Sequence, residues 1–361
     1  MTSTSRRRFV GQTLGTAAAL ALPAAFTSAQ GRVVLRAGDQ KGGLRALLEA
    51  SGGLDGLPYD LQWSEFPAAA PLAEALNANA VDLGPIGDAP LIFALAAGAR
   101  VKAIGANRSD AYGTAVLVRP DSPLRSAADL KGRSVATNRG SIGHYVTLKA
   151  AVAAGLQPSD VTLRFLAPAD AKLALTQGSV DAWATWEPYT ALAETGGHAR
   201  VLASGRGLLP GLSYLAATDR AIVERRPALQ DFLQRVVRAQ AWSYRNVEAF
   251  SATLARIIGI PPEAARLQFE RRQQKWVAID AQVVRDQQAT ADFYREVGLI
   301  RQPLQVAGTF DTGFGIAGCG VRRARRAPPA TAPGALAPAR RSAELGGVDA
   351  SLRTVATGGD P

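Results

Sequence analysis

The sequence predicts an α/β protein of two lobes, each lobe a mainly parallel sheet flanked by helices. Three observations predict it. From Val33 onward, short apolar runs alternate with helix-length segments, the pattern of strands joined by crossover helices. At 361 residues the chain is long enough to divide into two cores. Two prolines and a capping acid in Arg119-Pro120-Asp121-Ser122-Pro123 interrupt the first β/α series, and a second series follows.

In chain order, Ser5-Arg6-Arg7-Arg8-Phe9 precedes a mostly apolar stretch that ends in Thr27-Ser28-Ala29. A basic, then apolar, then small-residue order is that of an export signal. The arginines before Phe9 are similar to the twin-arginine type. Cleavage near Ala29 is expected, giving a protein that works in a periplasm. Strands are then expected at 33–37, 59–66, 81–84, 101–106 and 114–118, with helices to about 50, at 71–79 and from Asp88, acting as a cap, to about 97. Residues 30–119 with 218–315 form the first predicted lobe and 120–217 the second. The second has strands at 133–137, 161–166 and 180–185 and a helix at 145–154. A strand at 212–217 carries the chain back, and helices at 227–250, 262–273 and 281–297 complete the body.

The charge of +11 raises the question of a nucleic-acid partner, but its distribution argues against one. Arg6, Arg7 and Arg8 carry three charges. Seven arginines against three acids after Ile316 account for four more, which leaves a body near +4. No basic, aromatic-rich groove is in view. A single cysteine, Cys319, allows no intrachain disulfide, and His144 and His198 are too few for a transition-metal site. No cofactor is expected.

The stretch 167–189 organises the chain. Pro168 and Asp170 suit a first helical turn, Gly178 the residue past a helix end, and 180–185 a strand. Trp183, Trp186 and Glu187 then fall at the carboxyl end of a strand, where open α/β sheets bind ligands. The competing reading is core packing for the tryptophans. Three strand-to-helix turns, at 40–43, 87–89 and 140–143, each carry glycine and open a helix whose first N–H groups lack internal partners. Such ends are natural anion sites. If they converge, Gln40 and Ser141 add side-chain donors, and no arginine is needed.

These residues resemble the aliphatic-sulfonate-binding proteins of ABC importers. The resemblance rests on Gly38-Asp39-Gln40-Lys41-Gly42, Trp63-Ser64-Glu65-Phe66-Pro67, Val81-Asp82-Leu83-Gly84 with Gly87-Asp88, and Trp183-Ala184-Thr185-Trp186-Glu187-Pro188-Tyr189. It implies a monomeric periplasmic receptor with the periplasmic-binding-protein fold. Its lobes would close on a small organic anion and deliver it to an inner-membrane permease. Gln40, Gly87, Asp88, Ser141 and His144 would line the anion end, with Trp183, Trp186 and Glu187 as the wall beside it. Two departures stand out. Pro85-Ile86 and Ile142-Gly143 replace hydroxyl residues common in the family, which opens taurine, nitrate or a thiamine-related pyrimidine as alternative cargo. The fold also resembles sulfinate desulfinases, but those enzymes need a cleft cysteine, and Cys319 lies in the tail.

That tail is rich in Arg, Ala and Pro without helix or strand period, and disorder is expected there. Its abrupt start suggests a frame-shifted reading. Gly313-Phe314-Gly315-Ile316-Ala317-Gly318 fits a dinucleotide fingerprint but neither follows a predicted strand nor opens a helix.

Overall fold

The computed structural model describes residues 32–41 and 43–316. The export segment, Gly42, Cys319 and the tail lie outside the described residues. The chain begins with β1 (Val34–Gln40), α1 (Gly43–Ala50), β2 (Asp60–Phe66), α2 (Ala69–Asn77), β3 (Leu83–Gly87), α3 (Asp88–Ala96) and β4 (Val101–Arg108). It continues through β5 (Ala115–Val118), β6 (Ser134–Thr137), α4 (Ile142–Ala153), β7 (Thr162–Phe165), α5 (Pro168–Thr176), β8 (Ala182–Thr185), α6 (Tyr189–Thr195) and β9 (Arg200–Ser204). β10 (Leu212–Thr218), α7 (Asp219–Glu224), α8 (Arg226–Ser243), α9 (Val247–Ile258), α10 (Pro262–Arg272), β11 (Lys275–Val277) and α11 (Ala281–Glu296) complete it.

The strands form two sheets, a six-stranded one in the order β11-β4-β10-β3-β1-β2 and a five-stranded one in the order β7-β6-β8-β5-β9. The α/β class holds, and the sheets are mixed rather than mainly parallel. β1 pairs parallel with β2 and β3, and β6 with β7 and β8. β10 runs antiparallel to β3 and β4, β11 to β4, and β5 to β8 and β9. β5 and β10 are the strands by which the chain enters each sheet from the other, and β9 and β11 are edge strands laid antiparallel beside β5 and β4.

The changeover between sheets also corrects the predicted boundaries. β5 belongs to the second sheet and β10 to the first, so the chain crosses between 108 and 115 and returns between 204 and 212. The prolines of 119–123 mark a loop inside the second half. The single helix expected at 227–250 is two, α8 and α9, separated at Tyr244 to Asn246. α6, α7, β9 and β11 were not expected; all are seven residues or shorter, too brief to display a period.

Packing follows the two-residue period of β8, the strand between β6 and β5. Ala182 and Ala184 join one apolar cluster with Val116, Val135 and Val146, while Trp183 joins the opposite one with Ala171, Leu175 and Val180. The helix expected to start at Pro168 and stop before Gly178 is α5, with Gln177 as its C-cap and Gly178 next at φ 75°, the left-handed conformation glycine adopts past a helix end.

Candidate functional site

A cleft of about 440 Å³ is lined by residues at the ends of β1 and β3, the starts of α3 and α4, the segment after β8 and the last turn of α10. The sheet order puts β1 beside β3 and β6 beside β8, so their carboxyl ends lead into the same space. Gly140 turns the chain into α4 at φ 69°, and a Cβ there would stand 2.7 Å from the Phe93 ring. Only glycine satisfies both conditions.

The helix starts differ in their caps. Ser141 is the N-cap of α4, its Oγ accepting the His144 N–H at 3.1 Å. Gly87 caps α3 with no side chain, so Asp88 sits in the first helical turn and not in the expected capping position. Gln40 reaches across from β1 and donates through Nε2 to the Pro85 carbonyl at 2.7 Å, which leaves part of its amide for the cleft.

Five of the eight residues expected at the site line this cleft: Gln40, Gly87, Ser141, Trp186 and Glu187. The other three do not. Trp183 is 2% exposed and packs beneath β8 against Tyr189, because the strand's alternation turns it away from the side reached by Trp186. His144 is fully buried on α4, edge-on to Phe165 at 5.2 Å, with Nδ1 accepting the Gly140 N–H at 3.3 Å. Burial, with Arg139 nearby, lowers its pKa to about 4, so it is neutral and offers no cation to an anion. Asp88 is fully buried as well. Its Oδ1 accepts the Ala89 N–H at 2.7 Å, and its Oδ2 has no partner among the described residues. Desolvation raises its pKa to about 7. Tyr145, Tyr214 and Tyr294 are close enough for its charge to raise their own pKa values, and Gln287 Nε2 donates to its carbonyl at 3.1 Å.

Glu187 lines the cleft, but its carboxylate is committed. Arg271 Nε donates to Oε1, the Ala191 N–H donates to Oε2 at 3.0 Å, and Arg271 also reaches Glu194 at 2.6 Å. Burial pushes the Glu187 carboxyl up, and Arg271 pulls it partly back. This pair joins α10 to the start of α6. Gly113 makes room for it, since a Cβ there would come within 2.1 Å of Glu187 Oε1.

The sequence reading dispensed with arginine, and here the structure corrects it. Arg272, the last residue of α10, lines the cleft, and among the described residues its guanidinium has no hydrogen-bond or ion-pair partner. It is half-buried; partial desolvation lowers its pKa, with Glu187 opposing. An arginine retains its charge even so. Adjacent Arg271 points about 100° away around the helix and takes the carboxylates. Asn107 on β4, 3% exposed, also lines the cleft, its Oδ1 without a partner among the described residues. The sequence offered no signal for Arg272: no acid stands three or four residues from it, but none does from Arg271 either, which is paired at long range. Asn107 carried none.

This arrangement offers the first N–H groups of α4, a serine cap and a guanidinium without a partner among the described residues to an anion entering the cleft, beside the half-buried ring of Trp186. Residues 45–259 match the model of the NMT1-like family. The chain is 37% identical over 278 residues to an aliphatic sulfonates-binding protein of Escherichia coli (strain K12), covering 75% of this chain and 86% of that one. The chain belongs to this family of sulfonate-binding proteins. The alkanesulfonate-binding protein SsuA from Xanthomonas axonopodis pv. citri, solved bound to MOPS, superposes with a TM-score of 0.71 at 33% identity, over 78% of this chain and 99% of that one. The desulfurization enzyme DSZB shares the fold alone, with a TM-score of 0.59 at 18% identity over 78% of this chain and 97% of that one. As a family member the chain is a solute-binding receptor of the ABC-importer type, and the relatives it resembles at 33% identity or more are binding proteins.

Proposed function

We propose that this receptor captures an organic sulfonate in the cleft, its charged oxygens held between the starts of α3 and α4 and the Arg272 guanidinium, and that it hands the ligand to an inner-membrane ABC permease. The observation that carries the reading is Arg272, a half-buried charge lining the cleft with no hydrogen-bond or ion-pair partner of its own among the described residues. A partly desolvated cation with no carboxylate in direct contact is costly, and an incoming anion relieves that cost. The donor set suits a sulfonate: Ser141 and the backbone at Gly87 supply neutral donors on one side, and Arg272 supplies a planar charged one on the other. Pro85, Ile86 and Ile142 line the cleft without hydroxyl groups, so the guanidinium takes the larger share of recognition. The receptor works as a monomer in the periplasm, exported by its arginine-led signal and cut near Ala29.

A thermal-shift screen of the purified protein against alkanesulfonates, taurine, sulfate, nitrate and thiamine precursors tests this. An alkanesulfonate should raise Tm, since a ligand that binds only the folded state stabilises it. Arg272→Gln should weaken that ligand roughly ten- to hundred-fold, the worth of a hydrogen bond to a charged group. A shift from nitrate or a pyrimidine alone, or a sulfonate shift untouched by Arg272→Gln, would overturn the reading.

A further inference from the structure

The carboxyl of Asp88 lies directly behind the cleft lining. Gly87 and Pro90 line the cleft, and Asp88 between them turns its side chain inward, where it is fully buried. Consecutive Cα atoms are only about 3.8 Å apart, so an anion held at Gly87 is close to this carboxyl. Its Oδ1 accepts the Ala89 N–H at 2.7 Å, and its Oδ2 has no partner among the described residues. Pro90 has no N–H to offer. The amino end of α3 is therefore already occupied by an acid of its own.

No cation offsets that acid. α4 faces it with Tyr145, β10 with Tyr214, and α11 with Tyr294 and Gln287. Arg108 and Asp286, whose charges also reach Tyr214, are paired with each other at 2.7 Å. His144 on α4 is uncharged above pH 4 or so, β3 carries no titratable residue, and Glu74, the acid of α2, is exposed. Burial without a counter-charge is what raises the Asp88 pKa to about 7. Tyr214 itself lines the cleft, so the acid and the ligand share a wall.

A carboxylate so placed repels a sulfonate. Two unit charges about 7 Å apart at an effective dielectric of about 20 change an equilibrium constant about fifty-fold. Resting on the sulfonate reading above, we propose that Asp88 is a proton site coupled to the cleft, so that the receptor takes up a proton together with the sulfonate. One proton from solvent adds to the carboxylate to give the neutral acid, and no bond of the ligand changes. Ligand and proton then favour each other equally, as linkage requires. Capture is strongest on the acid side of neutrality, and release is favoured as pH rises.

Calorimetric titration of the exported protein with propane-1-sulfonate, which stays ionised throughout, tests the proposal. One linked proton changes affinity by up to about ten-fold per pH unit. Affinity should therefore fall at least five-fold between pH 6.5 and pH 8.5. At pH 8, binding heats in bicine and in Tris, buffers of different ionisation enthalpy and without a sulfonate group, should show proton uptake of about half a proton or more per ligand. Asp88→Asn, uncharged at every pH, should flatten the profile and abolish the uptake; if it does not fold, Asp88→Ser serves instead. Asp39, raised to about 6, is common to the wild type and these variants. Equal affinity at both ends of the range, or a fall that persists in the neutral variant, would overturn the proton coupling while the sulfonate reading stands. Binding at no pH would overturn the sulfonate reading, and the proton coupling with it.

Discussion

The two sides of the cleft hold charge by different means. On one side, the Gly140 turn and the Ser141 cap present the first N–H groups of α4, while at α3 Asp88 takes the Ala89 N–H, Pro90 has none and Gly87 lines the cleft; no side-chain charge is required. On the other, α10 carries two adjacent arginines, Arg271 locked to Glu187 and Glu194 and Arg272 lining the cleft without a partner among the described residues. The first side is built from partial charges spread over a helix turn, each worth little alone. The second depends on buried full charges, where removing one group leaves another stranded. The α10 side should therefore respond to mutation far more steeply.

The largest effect should come from Glu187→Ala. The pair is buried, with side-chain exposures of 11% for Arg271 and 4% for Glu187, and breaking one partner strands the other. A loss of about 3–5 kcal/mol in unfolding free energy is expected, toward the lower end because Glu194 still holds Arg271. Urea denaturation measures it. The double variant Glu187→Ala/Arg271→Leu should recover most of the loss, and a single variant within about 0.5 kcal/mol of wild type would place both sides of the cleft on the same footing.

The next effect belongs to Asp88, whose carboxyl lies under the neutral side. Its pKa is about 7 in the folded protein against an ordinary value near 3.8. The folded state therefore favours the protonated form. The stability Asp88 contributes is complete below about pH 3.8 and is lost as pH rises through about 7, at up to about 1.4 kcal/mol per pH unit between those limits. Asp39, raised to about 6 by burial, adds a loss in the same direction, while His144, lowered to about 4, loses its contribution as pH falls. Both are common to wild type and Asp88→Asn, so the difference between the two proteins isolates Asp88. Unfolding free energies at several pH values from 4.5 to 7.5 should show the variant gaining on wild type as pH rises. A difference independent of pH would mean that Asp88 is ionised in the folded state.

The neutral side was legible in the sequence and the charged side was not, for a physical reason. Glycine before a helix and serine at its first position are local signals, set by backbone conformation within three or four residues. Gln40, Gly87 and Ser141 could be placed that way, and all three line the cleft. Whether a side chain at a strand end faces ligand or core depends on register and on the sheet's neighbours. Trp183 and Trp186, three residues apart, separate for that reason, the first into the core beneath β8 and the second into the cleft. Arg272 depends on the long return of α10 to a site formed more than a hundred residues earlier, and Asn107 on β10 and β11 flanking β4. No local pattern encodes either.

The smallest effect sharpens the comparison most. Ser141→Ala removes a cap that accepts a single N–H, and such losses cost about 1 kcal/mol of stability. The backbone N–H groups of the first turn of α4 remain, and the freed His144 N–H gains no new competitor. Sulfonate affinity should therefore fall only a few-fold, well short of the loss expected for Arg272→Gln. Thermal shifts of the two variants at one ligand concentration make the test. If Ser141→Ala proves the more damaging, the hydroxyl and not the guanidinium holds the anion, and the neutral side recognises the ligand's head. If the order is as expected, the helix starts orient the oxygens while α10 supplies the attraction. That would explain how the receptor does without hydroxyls at Ile86 and Ile142: the charge that compensates comes from a helix of the other wall.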